Sequence, residues 1–203
     1  MTNARQALIV VDVQNDFCPG GTLAVRHGDE VVQPLNELID NFLERGAPVY
    51  KSRDWHPPTT NHFAAYGGTW PVHCVQNTKG AEFHPALRDD PRMTVISKGL
   101  NDKDSYSAFD ETDLASQLHQ QNVDEVIVGG LATDYCVKNT VLDALKNGFK
   151  VKAVKNAMRA VDLQSGDGDR AIEEMRAAGA EVVDEVDQEQ RSAGGTDAAG
   201  ELT

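Results

Sequence analysis

The sequence predicts an α/β fold of three layers, in which helices cover both faces of a central, mostly parallel sheet of six strands. Short runs rich in Val and Ile alternate along the chain with segments of helical periodicity, a pattern typical of parallel α/β sheets. The first run, ALIVV at residues 7–11, does not alternate apolar with polar side chains, which indicates a strand covered by helices on both faces. A chain of 203 residues is long enough to bury such a core.

Each strand is predicted from a short run of apolar residues, and each helix from the helical spacing of apolar residues. Apolar runs predict strands at residues 7–13, 48–52, 93–97, 125–128, 150–154 and 180–183. Apolar positions three and four residues apart predict helices at residues 29–45, 113–121, 134–147 and 168–178. Gly148 and Gly179 follow the last two helices, at the position where glycine commonly ends a helix in the left-handed conformation.

Two segments depart from this alternation. Residues 54–87 fit neither period and carry four of the six histidines, and a connection of this length inside a compact domain is typically functional. After residue 183 the chain is rich in Asp, Glu, Gln, Gly and Ala without periodicity. We therefore expect one α/β domain over residues 1–185, with a functional loop at 54–87 whose histidines are candidate metal ligands, and a disordered tail at 186–203.

Charge and composition exclude several classes of function. Thirty-two acidic against nineteen basic residues give a net charge of −13, and no stripe of Lys or Arg is present, so we expect neither nucleic acid nor an anionic membrane as partner. The N-terminus has no signal peptide or membrane-spanning run, which predicts a cytoplasmic protein. Three cysteines without CxxC spacing disfavour a disulfide framework and leave at least one thiol free.

Polar residues follow four of the predicted strands. Asp12, Asp54 and Lys98 come directly after apolar runs, and Cys136 lies just beyond the run at 125–128, in the predicted first turn of a helix. Parallel sheets bind ligands at the carboxyl ends of their strands, so adjacent strands would bring these four groups into one crevice. A thiol becomes a nucleophile when an acid, a base and a cation stand beside it. Each residue taken alone is also compatible with an ordinary cap or buried core position.

The loop at 54–87 has a second pattern, in which Asp54 and His56 stand two residues apart and further histidines follow. Carboxylate and imidazole together suit zinc, iron or manganese. Few protein ligands would leave metal positions open, which is typical of a catalytic metal. On spacing alone, these histidines are equally compatible with surface loop residues.

Five motifs in order resemble the nicotinamidase branch of the isochorismatase-like cysteine hydrolases. The resemblance extends from residue 7 to about residue 183 and implies the fold of that family. The motifs are VDVQNDF (11–17), SRDWHP (52–57), WPVHC (70–74), SKG (97–99) and GGLATDYCV (129–137).

The resemblance implies a reaction, a metal and a role for each group of site residues. It implies that nicotinamide is hydrolysed to nicotinic acid and ammonia through a thioester on the catalytic cysteine. It also implies one divalent metal per chain, zinc in the first place with iron or manganese as alternatives, which anchors the pyridine ring. The implied triad is Asp12, Lys98 and Cys136, and the implied metal ligands are Asp54, His56 and His73.

Further roles come from the same resemblance. The backbone N–H groups of Ala132 and Cys136 would form the oxyanion hole beside a cis Leu131–Ala132 bond, and His62 would stand behind the metal ligands without binding the metal. Family members are often dimers or larger, so we expect a homo-oligomer. Residues implied to line the nicotinamide pocket are Phe17, Trp70, Tyr106 and Leu131, for which core packing is the plain alternative.

Other functions stay open at this point. A related amidohydrolase could use the same triad on a ureido or carbamoyl group, although the metal motif argues against it. Isochorismatase proper is disfavoured because this chain carries both the thiol and the Asp-x-His motif. A metal-binding or interaction protein without turnover is the alternative of a different class.

Overall fold

The computed structural model describes residues 5–101 and 105–186, and its centre is a sheet of six strands. These are β1 (Gln6–Val11), β2 (Val49–Asp54), β3 (Thr94–Lys98), β4 (Glu125–Leu131), β5 (Lys150–Arg159) and β6 (Glu181–Val183). Their order is β3-β2-β1-β4-β5-β6, and each pairing is parallel. The predicted six-stranded sheet is confirmed, and the strand pairing is parallel throughout.

Helices cover both faces of the sheet, which confirms the three layers. The helices are α1 (Val32–Glu44), α2 (Leu114–Gln120), α3 (Lys138–Lys146) and α4 (Asp167–Ala177). Leu8 and Val10 of β1 pack in the core that contains α1. Ala7, Ile9 and Val11 pack in the other core, with α2, α3 and α4. β1 is apolar and buried at every position from Ala7 to Val11, because both of its faces are covered, and each large aliphatic side chain contributes about 1.5–3 kcal/mol by leaving water.

Several element boundaries differ from the prediction. β1 ends at Val11, two residues early, because Asp12 has a left-handed backbone with φ of 49°. The helix predicted at 134–147 begins as one π-helical turn, Thr133–Val137, and continues as α3. Gly148 and Gly179 have φ of 88° and 108°, which confirms their predicted positions after α3 and α4.

The loop at 54–87 has no regular element longer than a single 3-10 turn. Isolated bridges join His56 to Val75 and Gln14 to Phe83, so the loop runs back along the carboxyl edge of the sheet. Of the predicted tail at 186–203, residues 187–203 lie outside the described residues. Within the described part of the chain, no helix has both the length and the apolar character needed to cross a bilayer.

Candidate active site and metal centre

Four polar side chains stand at the carboxyl ends of four neighbouring strands. Asp12 follows β1, Asp54 ends β2, Lys98 ends β3, and Cys136 lies in the π-helical turn after β4. The strand order β3-β2-β1-β4 places these ends side by side, and Asp54 pairs with Lys98 in register. The predicted convergence of the four residues is confirmed.

The ammonium group of Lys98 is the centre of this cluster. The side chain is only 1% exposed, although it carries a charge. Its Nζ lies 2.8 Å from Asp12 Oδ2 and donates hydrogen bonds to Asp54 Oδ1, to the Ser105 carbonyl at 3.2 Å and to Cys136 Sγ at 3.5 Å. A buried cation needs such partners, because leaving water is costly for an unpaired charge. Lys98 therefore links both carboxylates to the thiol.

The backbone around Asp12 brings its carboxylate towards the thiol. Asp12 Oδ1 accepts a hydrogen bond from the Ser52 hydroxyl at 2.6 Å. Gly130 is needed in β4, because a Cβ there would stand 2.1 Å from the carbonyl oxygen of Val11. Close approach of β4 to β1 thus places Cys136 near Asp12. A carboxylate oxygen of Asp12, one of Asp54 and the thiol sulfur all lie within 4.8 Å of one another.

Burial and the charge of Lys98 shift the pKa values of the acidic groups in this cluster in opposite directions. Burial raises the pKa of Asp12, although Lys98 acts against this. Burial would also raise the pKa of Asp54, but Lys98 and His56 outweigh it and hold that pKa well below its usual range. Burial raises the pKa of the Cys136 thiol, and the lowering by Lys98 is the smaller effect. Lys98 thus lowers the pKa of the thiol by less than burial raises it.

Asp54, His56 and His73 form a second group of donor atoms beside this cluster. Their ligand atoms lie within 4.8 Å of one another, and Asp54 Oδ2 is 3.7 Å from His56 Nε2 and 3.9 Å from His73 Nε2. His56 Nδ1 lies 3.1 Å from the Gly99 carbonyl and His73 Nδ1 lies 2.7 Å from the Pro71 carbonyl. Since a carbonyl only accepts, both Nδ1 atoms carry protons, and both Nε2 atoms face Asp54.

This donor set fits a divalent transition metal. One carboxylate and two imidazoles, each oriented through Nδ1 by a carbonyl, are the arrangement such metals prefer. Burial also lowers the pKa of His73, which keeps the imidazole neutral and able to bind a metal. The group of Asp12, Asp54 and Cys136 is different, because the ammonium of Lys98 already supplies a cation to it.

His62 lies beside the Asp54, His56 and His73 group. Its ring centre is 4.9 Å from that of His56, and its Nδ1 lies 2.5 Å from the Thr60 hydroxyl. The side chain is buried and lines the same cavity as His56 and His73. Its expected place behind the ligands stays a prediction.

One cavity joins the thiol to the metal group. Its empty volume, counted together with the open mouth, is about 570 Å³. Cys136, Asp54, His56 and His73 all line it, whereas Asp12 and Lys98 are buried behind its wall. Each residue predicted for the pocket also lines it: Phe17, Trp70, Tyr106 and Leu131.

The aromatic wall of the cavity contains a residue that the sequence reasoning missed. Trp70 Nε1 donates a hydrogen bond to the Tyr106 hydroxyl at 3.0 Å. Tyr135 meets the Trp70 ring edge to face, with ring centres 5.1 Å apart. Tyr135 directly precedes Cys136 in the GGLATDYCV motif, and this position was the signal in the sequence that could have marked it as a cavity residue. Other lining residues not predicted are Leu23, Val25, Ser105 and Val161.

The turn before Cys136 has the predicted backbone. The peptide bond between Leu131 and Ala132 is cis, and Ala132 and Cys136 both line the cavity. The two residues thus lie where their N–H groups could face a bound carboxamide. Their role as an oxyanion hole stays a prediction.

Gln14 is a further residue that the sequence reasoning did not assign. It is fully buried, and its side-chain amide bonds to both backbone groups of Asp54: Nε2 donates to the carbonyl at 2.8 Å, and Oε1 accepts from the N–H at 2.7 Å. Nε2 also donates to the Ala81 carbonyl at 2.9 Å. Gln14 therefore fixes the backbone of the residue whose carboxylate is shared by Lys98 and the two histidines.

Comparisons with known proteins show the family to which the chain belongs. The isochorismatase domain model matches residues 6–187. The nicotinamidase of Escherichia coli is 44% identical over 91% of this chain and 97% of its own, and the nicotinamidase/pyrazinamidase of Mycobacterium tuberculosis is 39% identical over 88% and 98%. Among solved structures, the pyrazinamidase of Pyrococcus horikoshii in complex with zinc superposes with a TM-score of 0.84, at 46% identity over 88% of this chain and 98% of that one.

The match to the domain model extends over nearly the same residues as the motif resemblance. The relatives are covered almost from end to end, so the similarity is not confined to a shared fragment. The superposition also confirms the predicted isochorismatase-like fold. The chain therefore belongs to the isochorismatase family, in the branch that contains nicotinamidases and pyrazinamidases.

Proposed function

We propose that the protein is a nicotinamidase, which hydrolyses nicotinamide to nicotinic acid and ammonia through a thioester on Cys136. The observation that carries the proposal is that one cavity is lined both by the thiol and by the Asp54, His56 and His73 donor group. A flat ring with a nitrogen on one side and a carboxamide on the other matches such a cavity. Relatives named nicotinamidase and pyrazinamidase support the same substrate class.

The chain's own groups can carry each step of the chemistry. Asp12 takes the proton from the Cys136 sulfur, and the thiolate attacks the carboxamide carbon to give a tetrahedral intermediate. Its collapse breaks the C–N bond, and Asp12 returns the proton to the leaving ammonia. Water, deprotonated by Asp12, then adds to the thioester, and the C–S bond breaks to release nicotinic acid and the thiol.

Lys98 and the turn before Cys136 can stabilise the negative charges that develop on the sulfur and on the carbonyl oxygen. Lys98 lies within hydrogen-bond reach of Asp12, Asp54 and Cys136, so it can stabilise the developing thiolate and hold Asp12 in place. The N–H groups of Ala132 and Cys136 would donate to the oxyanion of each tetrahedral intermediate. Donors fixed before the reaction are effective because they need no rearrangement in the transition state.

Asp54, His56 and His73 would hold the divalent metal, for which zinc is the first choice and iron or manganese are alternatives. When bound, the metal supplies an electrophilic position that anchors the ring nitrogen. Around it, Trp70 and Phe17 line the cavity and would pack against the flat ring. Fixing the ring in this way holds the carboxamide against Cys136, which lowers the entropic cost of reaching the transition state.

A substrate panel tests the proposal. Ammonia release should be measured for nicotinamide, pyrazinamide and a ureido compound, with metal analysis of the same protein sample. We expect release from nicotinamide and about one equivalent of metal per chain. No release at millimolar nicotinamide would reject the proposal, and release from the ureido compound alone would favour the alternative amidohydrolase.

Metal removal provides a second prediction. We expect chelation to weaken nicotinamide binding by at least about tenfold, or about 1.4 kcal/mol, because the ring loses its anchor. Alkylation of Cys136 by iodoacetamide should change by less than about a factor of two, because Asp12 and Lys98 still surround the thiol. Binding is measured by calorimetry on Cys136→Ala protein and alkylation by peptide mass on the wild type, with zinc add-back as control. Equal losses in both would contradict an anchoring metal.

A further inference from the structure

Asp16 is a buried carboxylate that the proposed mechanism does not use. The residue is 8% exposed, and its two oxygens bond to two different loops. Oδ2 accepts a hydrogen bond from the backbone N–H of Cys74 at 2.7 Å, and Oδ1 accepts one from the N–H of Thr22 at 3.3 Å. Two such bonds offset part of the cost of burying the carboxylate, and they join segments that are far apart in sequence.

Cys74, the first of these partners, is connected through its backbone to both histidines of the Asp54, His56 and His73 group. His73 precedes it directly, and the carbonyl of Cys74 accepts a hydrogen bond from the backbone N–H of His56 at 3.0 Å. Cys74 has a left-handed backbone with φ of 46°, which a residue with a side chain adopts only when its surroundings hold it there. The hydrogen bond that the Cys74 N–H donates to Asp16 is one of those restraints, and the same turn follows His73 and bonds to the backbone of His56.

The second partner, Thr22, directly precedes a segment that lines the cavity. The backbone carbonyl of Asp16 accepts from the N–H of Leu23 at 3.0 Å, and the carbonyl of Phe17 accepts from the N–H of Val25 at 3.0 Å. Leu23 and Val25 both line the cavity. Asp16 thus ties the loop that carries the histidines to the loop that forms an apolar part of the pocket.

We propose that Asp16 is a positioning residue that sets the metal affinity of the Asp54, His56 and His73 group by holding the Cys74 turn. The inference rests on the metal role given to these residues in the proposed function. Asp16 contacts neither the thiol cluster nor a ligand side chain in the bonds described above, so it acts through the backbone. Partners of this kind typically change metal affinity by about 10–100-fold when they are removed.

Asp16→Asn is the first test, since it keeps the shape but replaces one acceptor oxygen by an NH₂ group that cannot accept an N–H. We expect the zinc Kd, measured by competition with a chromophoric chelator, to rise by about 10–100-fold. The rate of Cys136 alkylation should stay within about a factor of two, because Asp12 and Lys98 are untouched. Asp29→Asn removes an exposed carboxylate from the same region and should leave both values unchanged.

Gly80→Ala is the second test, and it keeps the charge of Asp16. A Cβ at Gly80 would stand 2.1 Å from Asp16 Oδ2, so the carboxylate must shift. The same selective rise in zinc Kd is expected, which keeps the proposal testable if Asp16→Asn does not fold. Wild-type zinc affinity in both variants, or alkylation falling in parallel with it, would overturn the inference. If the wild type binds no zinc, the metal part of the proposed function fails, and this inference fails with it.

Discussion

Replacing Cys136 with alanine is expected to reduce ammonia release from nicotinamide by roughly 10⁴-fold or more. The reason is that no other thiol reaches the cavity: Cys18 and Cys74 are buried and do not line it. Zinc content should be preserved, because Cys136 lies outside the Asp54, His56 and His73 group.

Cys18→Ala is the matched control for this variant. Cys18 is 3% exposed and packs in the core beside α1, so its loss removes a buried thiol without touching the cavity. Ammonia release by Cys18→Ala should stay close to that of the wild type. Residual activity of Cys136→Ala within about tenfold of the wild type would contradict covalent catalysis by this thiol.

Replacing Lys98 with methionine is expected to lower the free energy of unfolding by about 3–5 kcal/mol. Methionine fills a similar volume but leaves the carboxylates of Asp12 and Asp54 buried without their cation. Removing one partner of a buried ion pair is far more costly than removing an exposed one, because the remaining charge cannot return to water. Urea unfolding followed by circular dichroism measures the change, and ammonia release should be lost in the folded fraction.

Lys51→Met is the control for the Lys98 prediction. Lys51 is also a buried strand lysine, with 4% exposure, but it pairs with Asp89, whose side chain is 85% exposed. Water can therefore solvate Asp89 once the lysine is gone. We expect a loss of about 1 kcal/mol or less for this variant. Equal stability losses for the two variants would show that the buried carboxylates do not depend on Lys98.

The strand-end residues could be predicted because they depend on local sequence alone. A Val- and Ile-rich run that stops at Asp12, or a run that stops at Lys98, marks the carboxyl end of a buried strand without any knowledge of its neighbours. The rule that parallel sheets bind ligands at this edge then places both residues in the site. Predicting the metal ligands needed more information than local sequence, because an Asp-x-His pattern is short. The family motifs supplied that information.

The positioning residues could not be predicted in the same way. Gln14 bonds to the backbone of Asp54, 40 residues away, and Asp16 bonds to Cys74, 58 residues away. Both lie inside the VDVQNDF motif, but nothing in their spacing indicates which backbone groups they meet. Such contacts form only after the loop at 54–87 has returned to the sheet.

What the sequence by itself determined is the class of the fold and which residues are candidates for the reactive groups. Periodicity depends on which side chains face water, and strand-end polarity depends on where burial stops, and both are properties of neighbouring residues in the chain. Only the tertiary structure decided how these groups work together. The strand order joins Asp12, Lys98 and Cys136, and the loop brings His73 to Asp54. Burial of the finished cluster then keeps the thiol protonated, because desolvation acts only once all sides are covered.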